Sequence, residues 1–134
     1  MQRNQLLFLF ASILAISFGC SKESVSTQKN DEPIEVGGLY ASQGDDGSWS
    51  VSKVLALDDS AVHLRIYANK FSEQPKDIDP ATLTIGGIND PAGFGIGHAP
   101  LAKEGFINGE PILIKVVPVE ESELDGYKLY LDSQ

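Results

Sequence analysis

Between Gly38 and Phe71 the chain carries three apolar-rich runs separated by two acidic turns, a pattern that leaves few folds open. Gly38-Leu39-Tyr40-Ala41 is followed by Gly44-Asp45-Asp46-Gly47, Trp49 to Leu57, Asp58-Asp59-Ser60, and Ala61 to Phe71. Alternating runs rich in β-branched and aromatic residues, bounded by Gly, Asp and Ser, predict a β-meander. In the second run Trp49, Val51, Leu55 and Leu57 share a face that Lys53 interrupts. In the third, Val62, Leu64, Ile66 and Ala68 share one face and His63, Arg65, Tyr67, Asn69 and Phe71 the other. The apolar faces coincide when Leu57 opposes Val62 and Leu55 opposes Leu64 across a four-residue loop, Asp58 to Ala61. That register sets Ala56 by His63, Val54 by Arg65 and Ser52 by Tyr67, and a slip of one residue buries Arg65 and His63.

After Phe71 the chain turns repeatedly. Gln74-Pro75, Asp79-Pro80 and Asp90-Pro91 each turn the residue before proline away from helix. Asp79 is placed to cap one helical turn, and Leu83-Thr84-Ile85 predicts a short strand. Residues 86–100 hold five glycines and two prolines and predict a mobile loop. Gly93, Gly95 and Gly97 do not make a nucleotide site: a dinucleotide fingerprint needs glycine where His98 stands, and Gly-Lys-Ser/Thr is absent. Leu101 to Phe106 predicts a helical turn. Ile112 to Val117 predicts a central or doubly covered strand, and the alternation of Tyr127, Leu129 and Leu131 a closing strand.

The expected fold is therefore mainly β, a small antiparallel barrel or roll of five to six short strands in a single domain, residues 36–134. The run from Gly38 to Tyr67 resembles the opening strands of SH3-like and Tudor-like barrels over about a quarter of the chain, which implies a fold and no activity.

The first 35 residues read differently. One positive charge, Arg3, precedes a 13-residue apolar run from Leu6 to Phe18, too short for a bilayer span of about 20 residues and right for a signal-peptide core. It ends in Ser17-Phe18-Gly19-Cys20, where a small residue before the chain's single cysteine resembles the lipobox of bacterial lipoproteins. The resemblance implies cleavage after residue 19, a diacylglyceryl thioether on Cys20 and acylation, commonly by palmitate, of its new amino group. A usual lipobox has Leu and then Ala or Ser where Ser17 and Phe18 stand. Ser17 and Gly19 also satisfy the small-x-small rule for ordinary signal peptidase, which releases a soluble protein; a lone exported thiol at that one position favours lipid. Residues 20–35, the lipidated cysteine and a polar stretch, predict a tether holding the domain roughly 20 Å from the membrane. Ser21 is not the Asp that marks inner-membrane retention in enteric lipoproteins, which implies the outer membrane, facing the periplasm.

Charge narrows the partners. The formal charge is −9, and losing Arg3 with the leader leaves nine basic against nineteen acidic residues, a net of −10. Scattered Lys and Arg form no basic patch, so nucleic acid is not an expected partner. His63 and His98 have no third ligand at metal spacing and Cys20 is assigned to lipid, so neither metal nor cofactor is expected. The expected role is a non-catalytic envelope binding module for a protein or cell-wall polymer. An acidic inhibitor of a cationic protein, such as a lysozyme inhibitor, is the alternative; a small hydrolase is a weaker one. Candidate binding residues are His63, Arg65, Tyr67 and Asn69, with Arg65 as a carboxylate fork. The competing reading puts Tyr67 and Phe71 in a second small core under the C-terminal strands, with Arg65 paired to an acid.

Overall fold

The computed structural model describes residues 32–134; the apolar leader, Cys20 and most of the stretch after it lie outside the described residues. The domain is mainly β. Its sheet contains β1 (Gly38–Gln43), β2 (Trp49–Leu57), β3 (Ala61–Phe71), β4 (Ile96–Ala102) and β5 (Ile112–Val116), in the order β4-β3-β2-β1-β5 and antiparallel throughout. Two short helices, α1 (Lys103–Asn108) and α2 (Asp125–Asp132), complete it. β1 to β4 form the meander, and after α1 the chain returns as β5 to the other side of β1. This is the small antiparallel roll expected from the pattern.

The hairpins form where the turn chemistry puts them. The Gly44 N–H donates to the Ser48 carbonyl at 2.8 Å, and Gly47 holds a positive φ of 80° that an L side chain would resist. Leu57 pairs with Val62, and the Asp58 N–H donates to the Ala61 carbonyl at 3.1 Å, closing the four-residue loop.

The register then departs from expectation. Ala56 faces His63, but Leu55 is an extra residue on β2, so Val54 opposes Leu64, Lys53 opposes Arg65 and Ser52 opposes Ile66. A bulge inserts one residue and re-aims those beyond it, which alternation alone does not foresee. A second irregularity places two extra residues on β3 between Ile66 and Lys70. There the Ala68 N–H donates to the Thr84 carbonyl.

Both sides of the sheet are covered. Tyr40, Val54, Val62 and Leu64 pack with Phe106 of α1 on one side, joined by Ile34, Leu57 and Ile66. Leu39, Val51, Tyr67 and Ile78 form the second cluster, with Phe71, Leu83, Ile85, Ile114 and Val117 against it. Ile34 and Glu35, whose N–H donates to the Tyr40 hydroxyl at 2.9 Å, already belong to the packed unit.

Four expected elements differ. Residues 127–131 are helical rather than a strand, since the 3₁₀ turn Glu121–Leu124 runs directly into α2. Leu83-Thr84-Ile85 joins no named strand, although the Thr84 and Ile85 carbonyls accept the Ala68 and Gly95 N–H groups. Residues 96–100 of the glycine-rich stretch are ordered in β4, an edge strand that tolerates both Gly97 and Pro100. β5 is the opposite edge and is covered on one side only, with Ile114 on the second cluster and Leu113 and Val116 exposed, so it is neither central nor doubly covered.

Candidate functional site

β3 carries His63, Arg65 and Tyr67 on one side of the sheet, and the bulge at Leu55 puts Lys53 beside Arg65. Two cations thus sit side by side where the expected neighbour was Val54. Lys53 is only 4% exposed and His63 is fully buried, so each requires a partner. Those partners come from distant parts of the chain.

For Lys53 the partner is Glu123. Its Nζ donates to Glu123 Oε2 at 2.6 Å and to the Pro118 carbonyl at 2.7 Å. Glu123 is positioned by its own turn: its carboxylate accepts the Glu120 N–H at 2.8 Å while its N–H donates to the Glu120 carbonyl at 2.9 Å. Burial pushes the Glu123 pKa up, but the Lys53 hydrogen bond, the backbone donor and the charges of Lys53 and Arg65 outweigh it and hold it below the usual carboxylate range. Arg65 Nε lies 3.8 Å from Glu123 Oε1, an ion pair without a hydrogen bond, and its guanidinium carbon is 6.0 Å from the Tyr67 ring centroid.

For His63 the partners are Asp58 and His98. His63 Nε2 lies 2.9 Å from Asp58 Oδ2, and His63 Nδ1 lies 2.9 Å from His98 Nε2. Asp58 also accepts the Ser60 and Ala61 N–H groups. These bonds, His63's foremost, hold its carboxyl far below the ordinary range, so it is an acceptor only and His63 Nε2 bears the proton. His98 reaches the pair from β4, where between the Leu64–Ala99 and Ile66–Ile96 pairs β4 has one residue more than β3.

The ring geometry determines what the pair can do. The imidazole centroids are 5.2 Å apart with planes 9° from parallel. For a 2.9 Å nitrogen contact that separation is the largest the rings allow, so each nitrogen points straight at the other within one common plane. The rings are edge to edge, joined by a linear N–H···N hydrogen bond. Two lone pairs aimed along one line do not converge on a metal ion. Among the described residues no group of three or more His, Cys, Asp and Glu side chains is placed to hold one.

Helix α2 roofs this pair. The Tyr127 and Tyr130 rings tilt against His63 with centroids 4.6 and 4.9 Å away. Gly126 makes the approach possible: a Cβ there would lie 2.5 Å from His98 Cβ. Burial, and then the charge of His63, push the His98 pKa below the ordinary histidine value.

Of the residues singled out from sequence, His63 and Arg65 join this polar layer, whereas Tyr67 lies in the second apolar cluster, its pKa raised by burial and then by Glu123. Asn69 is a clamp on the neighbouring segment: its Nδ2 donates to the Thr82 carbonyl at 3.0 Å and its Oδ1 accepts the Thr84 N–H at 2.9 Å. Phe71 packs against the second cluster. Asp58, Lys53, His98 and Glu123 were not singled out as members of a site. A capping-box spacing, Glu120 to Glu123, was the one local signal available; nothing local links His63 to a residue 35 positions away. No family model matches the chain, and neither a curated protein nor a solved structure shows significant similarity to it.

Proposed function

We propose that the chain is a bacterial envelope lipoprotein, anchored through Cys20 and presenting a small β-rich binding module to the periplasm, without catalysis of its own. What carries this reading is the position of the single cysteine, directly after Gly19 at the end of the Leu6–Phe18 run. The buried polar layer favours a module over an enzyme, because His63 and Lys53 are closed off from solvent and both ring nitrogens of His63 and the ammonium of Lys53 are already bonded within the protein. The test is direct. Cys20→Ser abolishes labelling by a fatty-acid probe and leaves the precursor uncleaved. Normal maturation of the variant, with no label on the wild type, favours a secreted soluble protein instead.

Charge supports a second reading for the partner. From Glu32 to Gln134 there are seventeen acidic and seven basic residues. Four of the seven, Lys53, Arg65, Lys115 and Lys128, already pair with Glu123, Asp77 or Glu121. The remaining surface is acidic, which suits a cationic protein as the molecule bound.

A further inference from the structure

We propose that the Asp58–His63–His98 chain is an acid-released latch that holds α2 over the sheet at neutral pH and frees it as the histidine pair takes a second proton. The argument is one of proton counting. Asp58 accepts from His63 Nε2, so in neutral His63 the Nδ1 atom carries a lone pair, and His98 Nε2–H donates to it. One added proton fits: whichever ring takes it, a single hydrogen still lies between the two facing nitrogens. A second proton does not fit, because both facing nitrogens then carry hydrogen along a 2.9 Å line. Asp58 offsets one of the two charges, and His63 is fully buried.

The other groups around the pair do not relieve that conflict. From β2 and β3, Lys53 and Arg65 share this side of the sheet, and both are cations. Glu123, the acid on the adjoining 3₁₀ turn, is bonded to Lys53. From α2, the pair meets Tyr127 and Tyr130, while Asp125 and Asp132 are exposed and Lys128 is exposed and bonded to Glu121. The cheapest relief is for His98 to swing away from His63, and because Gly126 lies directly against His98 that movement displaces α2. A chain of this kind has a natural hinge. The Glu123 pKa is held below the usual carboxylate range, so it stays charged where histidine titrates and the 3₁₀ turn stays on Lys53 while α2 swings from Asp125. The lowered His98 pKa sets the direction: the open state binds more protons, so docking is complete above the ordinary histidine pKa and weakens as pH falls below it. Opening uncovers His63, against which Tyr127 and Tyr130 rest.

Hydrogen–deuterium exchange of the full chain in detergent micelles tests this, read as protection factors between about pH 7.5 and about pH 5, the span in which histidine titrates. An eight-residue helix is marginal in water alone, so amide protection across α2 reports its docking. Protection of residues 125–132 is expected to fall by up to about tenfold per pH unit, while β1 to β3 hold theirs. Unchanged α2 protection, or parallel loss in the sheet, overturns the latch. His98→Gln keeps a donor for His63 Nδ1 and cannot be charged, so its α2 is expected to stay protected in acid; loss as in the wild type also overturns it. If that variant is already open at neutral pH, the wild-type His98 proton resonance decides. It must titrate together with α2 opening, and separate midpoints overturn the proposal.

Discussion

Lys53 shows how one residue can determine the placement of an element seventy positions away. On a strand otherwise lined by Val51, Val54 and Leu55, a buried ammonium has no local acceptor, and Glu123 is held in place to supply one. Removing the two partners should have unequal effects. Glu123→Ala strands Lys53 beside Arg65 with no carboxylate between them, and breaking a buried pair in this way costs about 3–5 kcal/mol. Lys53→Met keeps the aliphatic stem, and Glu123 retains Arg65 as a counter-charge, so its loss is smaller. Urea melts check the order, and a larger drop for Lys53→Met than for Glu123→Ala would contradict the assignment. That two cations share this side of the sheet was not legible from sequence, because alternation carried through Leu55 without its bulge puts Val54 next to Arg65.

Among the elements, the hairpins from Gly38 to Phe71 were legible and α2 was not, for one reason. Long alternating runs with Asp-Gly and Asp-Asp-Ser turns have a single good solution, whereas five residues such as Tyr127 to Leu131 fit period two and period 3.6 equally. Packing chose the helix: Gly126, Tyr127 and Tyr130 lie along one helical side and meet the histidines, and Leu129, which the strand reading grouped with Tyr127, is 71% exposed. β4 was hidden by Gly97 and Pro100, which are breakers in a central strand but tolerable at an edge. The helix yields its own test. Gly to Ala inside a helix ordinarily stabilises by up to about 1 kcal/mol. Gly126→Ala should do the opposite, because the new methyl meets His98 Cβ. Exchange protection in α2 should fall with the sheet unaffected, and a stabilised α2 would mean that the helix does not rest on His98.

For the whole molecule the governing quantity is charge. An acidic domain repels anionic surfaces and concentrates cationic ones, and the field acts over about 8 Å at physiological ionic strength. Internal pairing sharpens the imbalance, since Lys53, Arg65, Lys115 and Lys128 are all engaged with carboxylates while Asp45, Asp59, Glu73, Glu104 and Glu110 make no ion pair among the described residues. Binding to a basic protein such as a lysozyme should therefore be dominated by rate of encounter, which responds to salt more steeply than contact energy does. Surface plasmon resonance at about 0.05 M and about 0.5 M salt separates the partner classes, because the Debye length shrinks from about 14 Å to about 4 Å. A cationic partner loses association rate steeply across that range. Retention on purified cell-wall polymer that is indifferent to salt would instead identify the wall as the ligand, and would leave the acidic surface as a means of solubility alone.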